Sequence, residues 1–242
     1  RHPQKMFRLD HESRLPLSAK MRDKLLSKAR RALKGADALI LEDYQKGVLT
    51  GSKRDSFCRS LIRLADDLGV PVLVDPAATD DFSRYAGATC ITPNRTEAEL
   101  AVGRRMEDDA ALIDGARELK RELKLDTVVL TLDKQGALLL EGRKKPLAVH
   151  TRARSVYDVT GAGDMVVATL AAARANGAAW PTAVALANVA AGLEVERFGV
   201  CPIELDELLL AILSEQHAAL GKRRTLDHLL PEVGALRRAG KS

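Results

Sequence analysis

The stretch of this sequence best suited to chemistry is DVTGAGD at residues 158–164, where two aspartates surround small residues and run directly into the alanine-rich MVVATLAAA. Gly161 and Gly163 permit backbone conformations that a Cβ resists, and the amides opening a helix have no intrahelical partner. A turn over Gly161, Ala162 and Gly163 at a helix start therefore suits an anion. Asp164 is then out of place, because a carboxylate beside an anion is repelled unless it has separate work to do. The plainer alternative is a tight turn with Asp164 as an early-helix carboxylate favoured by the helix dipole.

Four further polar clusters share this setting: EDYQKG (42–47), VDPAATD (74–80), TPNRTEAE (92–99) and TLDKQG (131–136). Each follows a short apolar run. The elements that must position them alternate along the chain. Helical spacing of apolar residues covers 18–34, 52–68 and about 107–124, and short buried strands are predicted at 37–43, 70–75, 88–92 and 126–132. GALLL (136–140) and PLAVHT (146–151) read as a small antiparallel continuation. From 162 onward the chain is almost wholly helical, with breaks near Gly177–Pro181, Gly199–Pro202 and Gly221. Strands alternating with helices predict an α/β fold, a mostly parallel sheet covered on both faces. Ligands of such sheets sit beyond the carboxyl ends of the strands, so these clusters converge on one edge as a candidate site.

Composition narrows the function. A chain of 242 residues can bury one sizeable α/β core. No apolar run approaches the roughly 20 residues of a spanning helix, and RHPQKMFRLD has no signal-peptide core, so no membrane partner and a cytoplasmic setting are expected. Cys58, Cys90 and Cys201 are scattered and odd in number, against a disulfide framework or a cysteine zinc site. None of the five histidines falls in a ligand-spaced pair. The 38 basic against 33 acidic residues leave a net charge of +5, but much of the excess lies in terminal segments and aromatics for base stacking are only 3% of the chain, so nucleic acid is not an expected partner. No G-x-G-x-x-G follows the first strand, which excludes a Rossmann dehydrogenase.

DVTGAGD, preceded by TPNRTEAE and TLDKQGA and followed by ANVAAG (187–192), resembles the C-terminal signature of the ribokinase-like, or PfkB, sugar kinases. The blocks occur in the family's order across roughly residues 36–200. Within the family, RLDHE (8–12), LILEDYQKGVLT (39–50), the run 70–99 and SVYDVTGAGD look most like heptose-7-phosphate kinase domains of bifunctional ADP-heptose synthesis enzymes. The resemblance implies a ribokinase-like three-layer sandwich that phosphorylates a sugar phosphate with ATP and Mg2+. Heptose 7-phosphate, accepting at its anomeric hydroxyl, is the implied substrate. Another PfkB sugar kinase and a non-catalytic nucleotide-binding module are the alternatives.

The roles the resemblance implies fall on individual residues. Asp164 is the base that takes the acceptor's proton, while Gly161, Ala162 and Gly163 hold the transferring phosphoryl group. Asn94 and Glu97, with Arg95 and Thr96 between them, match an N-x-x-E motif that orders magnesium through water; taken alone, 94–97 also reads as a helix-entry turn. Thr131 and Gly136 match a T-L-G-x-x-G turn beside the nucleotide, with Asp133 in place of the first glycine. Thr160 leads into the anion turn on the nucleotide side, and Asn188 matches a residue lining the adenine pocket, although an Asn satisfying a neighbouring loop looks the same. Asp43, Lys46, Asp75 and Asp158 fall on the sugar-phosphate side, Lys46 also reading as an ordinary surface lysine.

The family's first strands, its Gly-Gly-rich sugar-binding segment and its β lid have no counterpart in the sequence, which implies a truncated kinase domain over 1–220. Residues 221–242 resemble a linker helix leading to a nucleotidyltransferase domain. Family members often form dimers through the lid, so the resemblance leaves the oligomeric state open, with a homodimer of the full-length protein as one option.

Overall fold

The computed structural model describes residues 9, 11–50, 56–151, 159–197, 199, 201–220 and isolated positions between 231 and 238. The expected linker helix over 221–242 and Asp158 therefore lie outside the described residues, as does the start of the helix predicted over 52–68.

Helix α1 (Ala19–Ala32) is opened by Ser18, whose hydroxyl accepts from the Met21 amide. It leads to β1 (Leu39–Glu42), α2 (Phe57–Asp67), β2 (Val72–Asp75), a short 3-10 turn at Ser83–Tyr85, and β3 (Cys90–Ile91). Then follow α3 (Arg95–Val102), α4 (Asp109–Glu122), β4 (Thr127–Thr131), a second 3-10 turn at Asp133–Gln135, β5 (Ala137–Glu141) and β6 (Leu147–Val149). Three C-terminal helices are described: α5 (Ala162–Ala175), α6 (Trp180–Glu194) and α7 (Leu205–Leu220). Among the described residues, the strands and helices read from the sequence up to residue 220 are present, shorter by one to three residues at most ends. Helix α3 is the addition, and its start is where the N-x-x-E stretch reads as helix entry.

The six strands are ordered β1-β2-β3-β4-β5-β6, the first four parallel and the last two antiparallel. Sequential neighbours joined by right-handed crossovers put all crossing segments on one face. Accordingly α2, α3 and α4 share a core with Leu41, Val72, Val74, Ile91, Val128 and Leu130. The alternate residues Leu73, Cys90, Val129 and Leu139 face the other way, against Val167 and Leu170 of α5 and Val184 and Ala187 of α6. Both faces are thus covered, and the central strands are apolar on both sides, as buried parallel strands must be. No helix among the described residues is long and apolar enough to cross a membrane.

Candidate active site

All four parallel strands end on the same edge, at Glu42, Asp75, Ile91 and Thr131. Beyond β1 the chain turns sharply. Asp43 is buried, with one carboxylate oxygen taking the Gln45 amide at 2.9 Å and the other taking the Tyr85 hydroxyl at 2.8 Å and the Arg84 guanidinium at 3.2 Å. Gln45 follows in the left-handed region at φ 55°, uncommon for a residue with a side chain, and its amide group donates to the Ala78 carbonyl at 2.9 Å. Between these two anchored residues stands Tyr44, 59% exposed, whose hydroxyl lies 2.8 Å from Asp164 Oδ1 and 3.4 Å from Glu42 Oε2. Lys46 pairs with Glu12 at 2.5 Å.

Asp164 reaches this edge from the first turn of α5. Its helix begins at Gly161, which is left-handed at φ 96° and offers no side-chain cap; the Ala162 amide donates to the Val159 carbonyl at 3.4 Å, and the amides after it in the first turn meet no side-chain cap. Gly163 lies so close to β2 that a Cβ there would sit 3.4 Å from Asp75 Oδ2. Asp75 also accepts from the Thr92 hydroxyl at 3.0 Å. Burial pushes its carboxyl up to about 7; the Thr92 bond pulls down, and Glu97, Asp164 and Glu42 add to the rise. Glu42 is raised too, by burial and then by Asp164.

Beyond β3, Asn94 and Glu97 close a reciprocal capping box on α3. The Asn94 side chain accepts from the Glu97 amide at 2.9 Å, and Glu97 Oε2 accepts from the Asn94 amide at 2.8 Å. Burial raises the Glu97 carboxyl against the pull of both Asn94 bonds. The strand continues past Pro93, whose carbonyl takes the Thr131 amide at 2.9 Å, bringing Asn94 beside Thr131. Arg95 spans the gap to the next turn, donating to the Gln135 side chain at 2.7 Å and to the Met106 carbonyl at 3.0 Å. Thr96 is exposed on the first turn of α3.

The turn after β4 forms although Asp133 replaces the family's glycine. Asp133 takes the left-handed conformation itself, at φ 49°, which aspartate tolerates better than most residues. Gly136, at φ 100°, packs so tightly on the end of β6 that a Cβ would clash with the Val149 carbonyl. Asn188 of α6 donates to that same carbonyl at 2.8 Å. Thr160 is exposed just before Gly161.

The structure therefore brings Asp164, Gly161–Gly163, Asp75, Asn94, Glu97, Thr131, Asp133, Gly136 and Asn188 to one edge through a continuous chain of contacts. Three of the expected site residues have polar atoms that are engaged within the fold. Asp43 directs its carboxylate inward to shape a turn, Asn188 ties a helix to β6, and Lys46 meets Glu12. Tyr44, Thr92, Arg84 and Tyr85 were not singled out from the sequence. Tyr44 stands inside a strand-end cluster, which is a usable signal; Arg84 and Tyr85 reach Asp43 from about 40 positions away with no pattern to mark them.

The residues fit a phosphate at the α5 start, where a left-handed glycine and an uncapped helix end present amides. They do not form a direct metal cage, since no group of three His, Cys, Asp or Glu among the described residues could hold a metal ion. The capping box leaves Glu97 Oε1 outside it, which suits a contact through water.

Comparison with known proteins gives the family. The pfkB family carbohydrate kinase model matches residues 13–207. The chain is 37% identical over 238 residues to the bifunctional protein HldE of Trichlorobacter lovleyi, covering 98% of the chain and 48% of that protein. It is 41% identical over 240 residues to HldE of Methylobacillus flagellatus, with the same coverages. The chain thus spans about half the length of the curated relatives it matches. Among solved structures, phosphofructokinase-2 from Escherichia coli in complex with potassium superposes with a TM-score of 0.71 at 20% identity, over 84% of this chain and 64% of that one. Arabidopsis thaliana ribokinase complexed with ribose and ATP gives 0.67 at 22%, over 78% and 59%. These two likenesses show a shared fold.

Proposed function

From the premise that the chain belongs to the pfkB family of carbohydrate kinases, we propose that it transfers the γ-phosphoryl group of ATP to the anomeric hydroxyl of heptose 7-phosphate. The observation that carries this reading is the start of α5: amides without a side-chain cap behind a left-handed glycine, with Asp164 in the helix's first turn and facing the strand edge. The choice of sugar rests on the segment resemblance at 8–12, 39–50 and 70–99 and on the 37–41% identity to HldE proteins.

In this reading the amides at Gly161–Gly163 hold the transferring group in line, and Asp164 takes the acceptor's proton as the new O–P bond forms and the bond to ADP breaks. Asn94 and Glu97 hold magnesium through its waters; the ion supplies charge compensation on the phosphates. Thr131, Asp133, Gly136, Thr160, Arg95, Thr96 and Asn188 border the nucleotide, and Asp75, Lys46, Asp43 and Asp158 the sugar phosphate. The supply of both substrates goes with a cytoplasmic setting, and a homodimer of the full-length protein is compatible with the reading.

The test is ADP release by the chain with ATP, magnesium and heptose 7-phosphate, with fructose 6-phosphate and ribose as competing acceptors. Preference for heptose 7-phosphate supports the reading. Turnover with another acceptor moves the substrate within the family, and nucleotide binding by calorimetry without any transfer points to a binding module.

A further inference from the structure

We propose that Tyr44 is a positioning residue for the base, its phenol holding Asp164 Oδ1 so that Oδ2 is left free to meet the acceptor's hydroxyl. This rests on the kinase reading for what Asp164 does, and on geometry alone for how it is held.

Three observations carry it. The first is the contact: at 2.8 Å against 3.4 Å, the single phenolic proton goes to Asp164 in preference to Glu42. The second is the mounting of Tyr44. Asp43 before it is locked by three donors, and Gln45 after it is held left-handed by two hydrogen bonds. Such a backbone outlier persists only where its surroundings over-determine it. The third is exposure. With 59% of its surface open, the ring is not placed there by core packing.

The choice of a phenol has a chemical reason. Glu42 and Asp75 both lie close enough to raise the energy of further negative charge near Asp164, whose Oδ1 is met by the neutral Tyr44 hydroxyl. A guanidinium there would fix the carboxylate and also draw off its basicity. A neutral hydroxyl fixes one oxygen and leaves the charge available. The phenol keeps its proton: burial, then the hydrogen bond and charge of Asp164, then Glu42 and Asp75 all raise its ionisation well above the ordinary tyrosine value.

The chain has three tyrosines, so 3-fluorotyrosine labelling gives a sparse fluorine NMR spectrum in which the Tyr44 signal is the one lost in Tyr44→Phe. Asp164→Ala should shift that signal and lower its alkaline titration midpoint. With ATP and heptose 7-phosphate, Tyr44→Phe should reduce kcat about tenfold, with both KM values within about twofold. Its melting temperature should match the unaltered chain, as expected for an exposed ring. A Tyr44 signal indifferent to Asp164→Ala, or an unchanged kcat in Tyr44→Phe, overturns the proposal. Absence of turnover in the unaltered chain counts against the kinase reading only, and the fluorine signal still decides whether Tyr44 holds Asp164.

Discussion

Asp75 and Gly163 meet where β2 ends and α5 begins, the Asp75 carboxylate lying 3.4 Å from the place a Gly163 Cβ would take. This packing buries a carboxyl among Glu97, Asp164 and Glu42 and pushes it up to about 7 from an ordinary 3.8. The folded chain therefore binds this proton more tightly than the unfolded one. The resulting penalty is absent below about pH 4, grows through the interval, and is complete above about pH 7. Asp75→Asn should remove it, raising nucleotide-free stability at pH 8 by on the order of a few kcal/mol while changing little at pH 4. Urea unfolding at both pH values measures the difference; an equal effect at both would show that the fold does not raise the Asp75 carboxyl.

The same contact separates the two glycines of the turn. Gly163 has helical backbone and 3.4 Å of clearance, so Gly163→Ala should fold at least as stably, by up to about 0.5–1 kcal/mol. Gly161 is left-handed at φ 96°, and Gly161→Ala should lose stability by a comparable amount. On the proposed reading both should weaken nucleotide binding, because each adds a methyl group to the turn proposed to hold the phosphate. Calorimetric titration with ADP together with thermal unfolding resolves the two effects.

The two tyrosines of this region should respond in opposite ways. Tyr85 is fully buried, and its hydroxyl both donates to Asp43 and accepts the Ala77 amide at 3.1 Å. Tyr85→Phe orphans a buried amide and removes a donor from a buried carboxylate, costing about 1–3 kcal/mol. Tyr44→Phe, at an exposed site, should leave stability within about 0.5 kcal/mol. Chemical denaturation of both variants makes the comparison.

Glu97 closes the α3 capping box, and its proposed metal role is separable from that. Glutamine also closes a capping box, so Glu97→Gln should keep α3 intact while removing the charge proposed to act through magnesium's waters. Its turnover should be low at limiting magnesium and partly restored by excess. Asn94→Ala should instead lose about 1 kcal/mol of stability through the cap. A Glu97→Gln enzyme with unchanged magnesium dependence would leave Glu97 a purely structural residue.

Much of this architecture was legible in the sequence because its signals are local. Apolar runs of strand length closed by charge or proline marked the strands, and the rule that ligands sit beyond strand ends selected 42–47, 74–80, 92–99, 131–136 and 158–164 in advance. Helix α3 was harder to see: eight residues opening with Asn94 and Glu97 serve a cap and a proposed metal contact with the same side chains. Long-range pairings were illegible. Nothing in SRY at 83–85 announces that Arg84 and Tyr85 will anchor Asp43, and nothing in EDYQKG says that Tyr44 will reach a helix 120 positions away. Such contacts depend on which strands become neighbours, so they appear only once the sheet is assembled.

On the proposed reading Asp164 takes the acceptor's proton. The most direct measurement is single-turnover phosphoryl transfer from ATP to heptose 7-phosphate by Asp164→Asn beside the unaltered chain, with ATP affinity measured in parallel. The asparagine keeps the shape but cannot accept the proton, so transfer should slow by about 100- to 10,000-fold while ATP affinity stays within a few-fold. If Asp164→Asn retains most of the transfer rate, Asp164 is an early-helix carboxylate at the start of α5 and the base lies elsewhere.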